Sequence, residues 1–178
     1  REARRPRFLL SQDALPLAGQ ACQHGRVNVG GYDFTWASAI DADRDDTGAL
    51  VFDTPQSRYA NPKALPLHAH GVGPFARIRT NNLPIEPGVY AVVSTDGAVL
   101  YVGRARDSIR RRWSPQGYAV IHARNCFKGG QSTNCRINVL IARELTHRRP
   151  LALWVLTVPD PTPVETTIIC RLRPPWNL

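Results

Sequence analysis

Two short runs of β-branched and aromatic residues, separated by a turn sequence, constrain this chain more than any other feature. The first run is GVYAVVS, residues 88–94, and the second is VLYVG, residues 99–103. Between them stand Asp96 and Gly97, a dipeptide typical of tight hairpin turns. The pattern predicts an antiparallel β-hairpin in which Tyr90 and Tyr101 lie on paired strands.

Helical spacing begins after the hairpin. Ile109 and Trp113 lie four residues apart with three arginines between them, and Asp107 or Ser108 is suited to cap a helix that starts there. A second helical pattern follows in CRINVLIARELTH, residues 135–147, whose apolar residues recur on one face.

The end of the chain completes an α/β pattern. LALWVLTV, residues 151–158, predicts a third strand. Pro163 can occupy the first turn of a last helix, which the pair Pro174–Pro175 must end. Residues 81–178 are therefore predicted to form a small α/β domain with a three-stranded, mainly antiparallel sheet flanked by helices.

Residues 1–80 have a different character. They are rich in turn-forming residues and lack helical periodicity, which predicts a β- and loop-rich N-terminal arm. The net charge is +2 over residues 1–80 and +7 over residues 81–178, out of +9 in total. A polyanion is thus the first partner to consider for the second half, and the arm is expected to serve DNA recognition or docking.

Composition excludes several classes of protein. The chain has 178 residues, of which 43% are hydrophobic and 21% charged, so it is globular rather than disordered or fibrous. Its longest apolar stretch, residues 151–158, is too short to span a membrane.

Four cysteines without CxxC spacing favour a reducing compartment, so we expect a cytoplasmic protein. Because the sequence starts at Arg1 and contains no Met, a piece of a secreted effector is the alternative.

Two tyrosine triplets and four later residues occur in the order of a known motif set. The triplets are Gly88-Val89-Tyr90 and Tyr101-Val102-Gly103. The other four elements are Arg104, Arg112, Glu165 and Asn177. In these six elements residues 87–178 resemble the GIY-YIG nuclease family, with Val in place of Ile in both triplets; restriction endonucleases and effector nucleases are the subtypes considered.

The resemblance implies hydrolysis of a DNA phosphodiester by water in a single inversion step. It implies that Tyr90 is the general base and that Tyr101 holds the phosphate or the water by its hydroxyl. A tyrosine is a poor base unless a cation favours its phenolate, a charge that Arg104 and Arg112 would supply together with a metal ion. Asn177 is implied to lie beside the site, with a capping amide at the end of the chain as the equal alternative.

The resemblance also implies that Arg112 stabilises the charge of the transition state, because Trp113 fills the place of an apolar helix residue that follows the arginine. The chain has one more residue between YVG and the helix than the commonest spacing. Arg111 is therefore the alternative.

Hydrolysis further requires a positive charge that stabilises the phosphorane and the leaving 3′ oxygen. Glu165 is the one carboxylate near the motif set. A single carboxylate with several waters commonly holds Mg²⁺ when the substrate phosphate supplies a further ligand. We therefore expect one Mg²⁺ ion, or Mn²⁺ in its place, bound to Glu165.

Basic and amide side chains around the motif set predict contacts to DNA. Arginines follow the phosphate backbone, and amides on a loop between basic helices can contact base edges or phosphates. The predicted contact residues are Arg110, Arg111, Asn125, Gln131, Asn134 and Arg136.

These features together predict a metal-dependent DNA endonuclease of the sequence-specific, restriction type. A non-specific nuclease toxin and a non-catalytic nucleic-acid-binding module are the alternatives, and an RNA target stays open. DNA is the expected partner, and no membrane is expected. A homodimer would allow one active site per chain to cut both strands, whereas a toxin domain would have an immunity protein or a larger parent protein.

Overall fold

The computed structural model describes residues 25–177, which form a mixed α/β fold. The strands are β1 (Arg26–Val29), β2 (Tyr32–Ala42), β3 (Phe52–Asp53), β4 (Phe75–Ala76), β5 (Ile78–Arg79), β6 (Gly88–Ser94), β7 (Val99–Ala105) and β8 (Leu151–Thr157). The helices are α1 (Ile109–Arg112), α2 (Ser132–Thr146) and α3 (Pro161–Leu172), with 3₁₀ turns at Pro55–Arg58 and Ala123–Cys126. The predicted fold class, an antiparallel sheet flanked by helices, is confirmed.

The main sheet contains more strands than the three predicted from the second half of the chain. Its order is β1-β2-β8-β6-β7, with β5 paired to the end of β2, and all of these pairings are antiparallel. The predicted strands β6, β7 and β8 are neighbours in this sheet. The sheet is larger because β2 covers the edge of β8 that β6 leaves free, which satisfies backbone groups that a three-stranded sheet would leave unpaired.

Strand β6 runs through the centre of the molecule and is buried on both faces. Val89, Ala91 and Val93 pack in a cluster with residues of α3, whereas Tyr90 and Val92 pack in a second cluster with residues of α2. Burial on both faces explains why GVYAVVS is continuously apolar or aromatic instead of alternating with polar residues.

Local capping sets where the helices begin and end. The Ser108 hydroxyl accepts a hydrogen bond from the Arg111 amide (3.2 Å), and the Asp160 carboxylate accepts one from the Thr162 amide (3.2 Å). Arg173 ends α3 in a left-handed conformation (φ +46°), immediately before the two prolines. The sequence pattern predicts that α2 begins at residue 135, but residues 132–134 form its first turn.

The end of the chain covers the outer edge of β7. The Val102 amide donates to the Asn177 side-chain oxygen (2.8 Å), and the Asn177 side-chain amide donates to the Val102 carbonyl (2.7 Å). The Trp176 amide donates to the Leu100 carbonyl (2.9 Å). This segment therefore occupies the edge of β7 to which another strand could otherwise bind.

The longest helix described, α2, has 15 residues, and none in residues 25–177 is long and apolar enough to cross a membrane.

Candidate active site

The hairpin brings two motif tyrosines together because a glycine lies opposite one of them. In the β6–β7 register Tyr90 pairs with Gly103 and Val92 pairs with Tyr101, so the tyrosines are diagonal neighbours, with ring centroids 6.3 Å apart. A Cβ atom on Gly103 would lie 2.6 Å from the Tyr90 hydroxyl. Only glycine at this position leaves room for the Tyr90 ring.

A third tyrosine, Tyr118, joins this pair. Its hydroxyl lies 3.0 Å from that of Tyr90 and 3.2 Å from that of Tyr101, and all three rings are buried. Sequence reasoning missed Tyr118, because it lies in the irregular segment after α1, where no periodicity indicates its direction. The available signal was Gly117 before it, a typical turn residue.

The backbone around Gly117 explains how Tyr118 reaches the site. The chain turns so tightly that a Cβ on Gly117 would collide with the carbonyl oxygen of Arg112. The Tyr118 amide donates to this same carbonyl (3.0 Å), and the buried Asn138 of α2 donates its side-chain amide to the Tyr118 carbonyl (3.1 Å). Tyr118 is thus held from both sides.

Among the three consecutive arginines of α1, Arg112 points to the tyrosines. Its Nε donates to the Tyr90 hydroxyl (3.3 Å), its Nη2 donates to the Tyr118 hydroxyl (3.1 Å), and its guanidinium carbon lies 4.6 Å from the centroid of the Tyr118 ring. Arg111 is exposed and pairs with Asp107 (3.1 Å). Of the two alternatives left by sequence, the structure therefore brings Arg112 into the cluster and leaves Arg111 outside it.

Glu165 approaches the same cluster from α3. Its carboxylate forms an ion pair with Arg104 of β7, and its side chain is only 13% exposed. A cleft of about 290 Å³ lies between these groups, lined by Tyr90, Tyr101, Arg104, Arg106, Arg112 and Glu165. Three arginines and one carboxylate make it electropositive, which suits a phosphate.

Burial changes the acidity of the groups in the cleft. It raises the pKa of Tyr90 well above its ordinary value of 10, with the neighbouring tyrosines adding to the effect and Arg112 opposing it. Burial raises the pKa of Tyr101 in the same way. The pKa of Glu165 is raised above its ordinary 4.5 by burial, although Arg104 opposes this shift.

The donor set of the cleft fits a hard divalent cation held by one carboxylate. One oxygen of Glu165 pairs with Arg104, and the other has no hydrogen bond within residues 25–177. In that part of the chain no three His, Cys, Asp or Glu side chains cluster, and Glu165 is the carboxylate that lines this cleft. The arrangement suits Mg²⁺ or Mn²⁺ ligated by Glu165, waters and a substrate phosphate.

Asn177 does not line the cleft. Both hydrogen-bonding groups of its side chain are used by the backbone of Val102, the residue next to Tyr101. The position therefore matches the capping alternative left by sequence, in which the amide fixes the end of the chain.

The residues predicted to contact DNA are dispersed. Arg110 and Arg111 are exposed on α1, while Gln131 at the start of α2 is exposed and Asn125 is half-buried. Arg136 of α2 is half-buried close enough to His70 to lower the pKa of this histidine, although burial of His70 is the larger cause. None of these side chains lines the 290 Å³ cleft.

Asn134 is contradicted as a DNA contact. It is 1% exposed, and its side-chain amide donates to Gln131 (2.7 Å) and to the Gly117 carbonyl (3.4 Å). The helix starts earlier than predicted, so this side chain turns inward and packs under the Gly117 turn.

Comparison with known proteins finds one relevant similarity. Over 104 residues, 58% of this chain, the sequence is 32% identical to UvrABC system protein C of Geobacter metallireducens. The similar region covers 15% of that protein's length, so the chain corresponds to a small part of it. No family model and no solved structure matches the sequence.

Proposed function

We propose that this protein is a metal-dependent endonuclease that hydrolyses phosphodiester bonds of DNA in the cleft lined by Tyr90, Arg112 and Glu165. The observation that carries the proposal is the convergence of Arg112 on the hydroxyls of Tyr90 and Tyr118 beside a shielded carboxylate. Such an arrangement supplies a cation for phosphoryl charge, a proton acceptor and a ligand for a metal ion in one place.

The similarity to UvrABC system protein C supports a nuclease segment of the GIY-YIG type. The same similarity supports DNA as the nucleic acid that is cut. The motif resemblance to the GIY-YIG nucleases supports the same reaction, hydrolysis of a DNA phosphodiester. The net charge of +9 supports a polyanionic substrate independently of both.

In the proposed reaction, water attacks the phosphorus atom and the bond from phosphorus to the 3′ oxygen breaks. The proton of the water passes to the Tyr90 hydroxyl oxygen, which must be in its phenolate form to accept it. The 3′ oxygen leaves and takes its proton from solvent, so the products carry a 5′-phosphate and a 3′-hydroxyl. Tyr101 holds the phosphate or the attacking water by its hydroxyl, while Tyr118 positions the hydroxyls of Tyr90 and Tyr101.

The arginines divide the charge stabilisation. Arg112 faces the tyrosine hydroxyls and would place two N–H donors on the phosphoryl oxygens, where charge develops in the transition state. Arg104 holds the Glu165 carboxylate in position and reduces the cost of burying it. A divalent cation bound at Glu165 would supply Lewis-acid charge to the phosphate and the leaving oxygen.

Sequence specificity of the restriction type is the finer part of the proposal. A homodimer would then place one cleft on each DNA strand, since each chain has a single catalytic cluster of this kind within residues 25–177. Discrete fragments from a long DNA would support specificity, whereas a continuous smear would support a non-specific nuclease.

The chemistry of the product ends tests the proposal. A fluorescently labelled DNA duplex is incubated with the protein and Mg²⁺, and the products are treated with DNA ligase with or without prior phosphatase. The proposed bond cleavage gives ends that ligate directly and that stop ligating after phosphatase removes the 5′-phosphate. Products with 3′-phosphates would contradict the proposed direction of bond breaking.

A further inference from the structure

A second cleft, of about 700 Å³, lies beside the catalytic one. The residues of its lining that matter here are Arg77, Arg79, Asn81, Asn82, Arg110 and Trp113. The first four belong to the segment from β4 to β6, and the last two belong to α1 and its C-terminal end. This cleft is therefore formed where the first half of the chain meets the predicted nuclease region.

Trp113 separates the two clefts. Its ring packs edge-on against Tyr90 and Tyr118, with centroids 5.5 and 5.1 Å apart, and it also forms part of the wall of the second cleft. Arg110 and Arg112 are two positions apart on a helix and so lie on opposite sides of it. Consistently, Arg112 lines the catalytic cleft and Arg110 lines the second one. The two clefts therefore lie on opposite sides of α1, with Trp113 between them.

The charge of the second cleft suits a phosphate. Arg77, Arg79 and Arg110 are exposed, and within residues 25–177 only Asp43 contacts any of the three through a carboxylate, bonding to Arg79 and lying 3.7 Å from Arg77. Arg110 donates its Nε to the Leu83 carbonyl (2.8 Å), which leaves its two terminal nitrogens without a partner in that part of the chain. The guanidinium is thus oriented by the backbone and still able to bind an anion.

Other groups in the second cleft suit a nucleobase. The side-chain amides of Asn81 and Asn82 are exposed and make no hydrogen bond within residues 25–177. The ring of Trp113 forms part of the wall of this cleft, and its indole N–H is buried without an acceptor within residues 25–177. The volume lies in the range of pockets that enclose small organic ligands, which includes a single nucleotide.

We propose that the second cleft binds a nucleotide of the DNA strand that is cut, next to the scissile phosphate. Arg79 and Arg110 contact its phosphate, and the amides of Asn81 and Asn82 face its base. The identity of the ligand as the cleaved strand rests on the proposed nuclease function. The cleft itself is separate from the catalytic residues.

Salt-dependent DNA binding tests this proposal without any cleavage. Affinity for a fluorescein-labelled DNA duplex is measured by anisotropy in EDTA, at salt concentrations from about 50 to 200 mM. The test variant is Arg79→Gln/Arg110→Gln. The matched control is Arg26→Gln/Arg143→Gln, which loses the same charge from β1 and from α2, outside both clefts.

Each phosphate contact contributes about 0.7–0.9 to the slope of log K against log salt. Because Arg79 and Arg110 contact one phosphate, the test variant is expected to lower the slope by about 0.7–0.9, and the control is expected to leave it unchanged. An unchanged slope in the test variant, or an equal loss in the control, would overturn the proposal.

Photo-crosslinking locates the bound strand. A duplex containing 4-thiothymidine is irradiated in complex with the protein, and the crosslinked peptides are identified by mass spectrometry. We expect crosslinks within residues 77–83 or 110–120; crosslinks confined to other segments would overturn the proposal.

A protein that binds DNA in the second cleft but cleaves none would contradict the proposed nuclease function alone. Cleavage with an unchanged salt slope would contradict the second cleft alone.

Discussion

Arg112 donates hydrogen bonds to two tyrosine hydroxyls, although its neighbours in sequence face elsewhere. Arg111 pairs with Asp107 at the surface, and Arg110 is bonded to the Leu83 carbonyl. Three chemically identical side chains in one helical turn therefore have three different surroundings. This allows the function of one arginine to be tested against its neighbour with the same substitution.

Replacing Arg112 with Ala is expected to lower the cleavage rate by at least about 100-fold, because a donor to the developing phosphoryl charge is lost. Arg111→Ala removes the same guanidinium from an exposed position and is expected to leave the rate near that of the wild type. Single-turnover cleavage of a labelled duplex measures both. An inactive Arg111→Ala with an active Arg112→Ala would contradict the assignment.

The acidity of Tyr90 predicts the pH dependence of the reaction. Burial raises the pKa of Tyr90 above 10, so fewer than about one molecule in a thousand carries the phenolate at pH 7. The phenolate fraction rises tenfold per pH unit below that pKa. We expect kcat/KM to rise with the same slope from about pH 7 to 9, without a plateau.

Two variants check that this slope belongs to Tyr90. Tyr90→Phe is expected to abolish cleavage, while Tyr32→Phe, which changes a half-buried tyrosine on β2 outside the cleft, is expected to keep the slope. A plateau near neutral pH in the wild type would show that another group is the base.

At the level of elements, the sequence predicts those strands and helices that depend on residues close together in the chain. The hairpin, the cap at Ser108 and the strand β8 follow from turn residues and periodicity, and all are present. The position of Tyr118 could not be predicted, because it depends on the tight turn at Gly117 and on a hydrogen bond from α2. Contacts of this kind join segments far apart in sequence, and no local pattern reports them.

Asn138 is the clearest case of such a long-range contact. Its side chain accepts from the Ala76 amide (3.0 Å) and donates to the carbonyls of Ala76 (2.8 Å) and Tyr118 (3.1 Å), all in the buried interior. Asn138→Ala leaves these backbone groups unpaired, so we expect a loss of about 2–4 kcal/mol in the free energy of unfolding. Urea denaturation measures this loss.

The matched control is Asn81→Ala, whose exposed side chain makes no hydrogen bond within residues 25–177. Its free energy of unfolding is expected to stay within about 0.5 kcal/mol of the wild type. A similarly small effect of Asn138→Ala would contradict the structural role given to this residue.

At the level of the whole molecule, the first half of the chain supplies part of the same sheet and core. β2 pairs with β8, and Ile40 and Ile78 lie in the cluster that also contains Tyr90. The sequence did not predict this pairing, because register between distant strands depends on the packed faces rather than on local pattern. The arm also supplies one side of the second cleft.

This shared sheet predicts how a truncated chain behaves. Residues 81–178 alone would expose the edge of β8 and the apolar surface that β2 covers. We expect this fragment not to unfold cooperatively by circular dichroism, whereas the full chain does. A cooperative transition in the fragment would show instead that residues 81–178 form an independent domain.

Cleavage of a supercoiled plasmid tests whether this protein is a metal-dependent endonuclease. The wild-type protein is compared with Glu165→Gln, which keeps the shape of the side chain but removes its charge, in Mg²⁺ and in EDTA. We expect cut plasmid only for the wild type with Mg²⁺, with DNA binding retained by the variant. Cleavage that persists in EDTA or in Glu165→Gln would contradict the role of the carboxylate, and binding without any cleavage would contradict the proposed endonuclease.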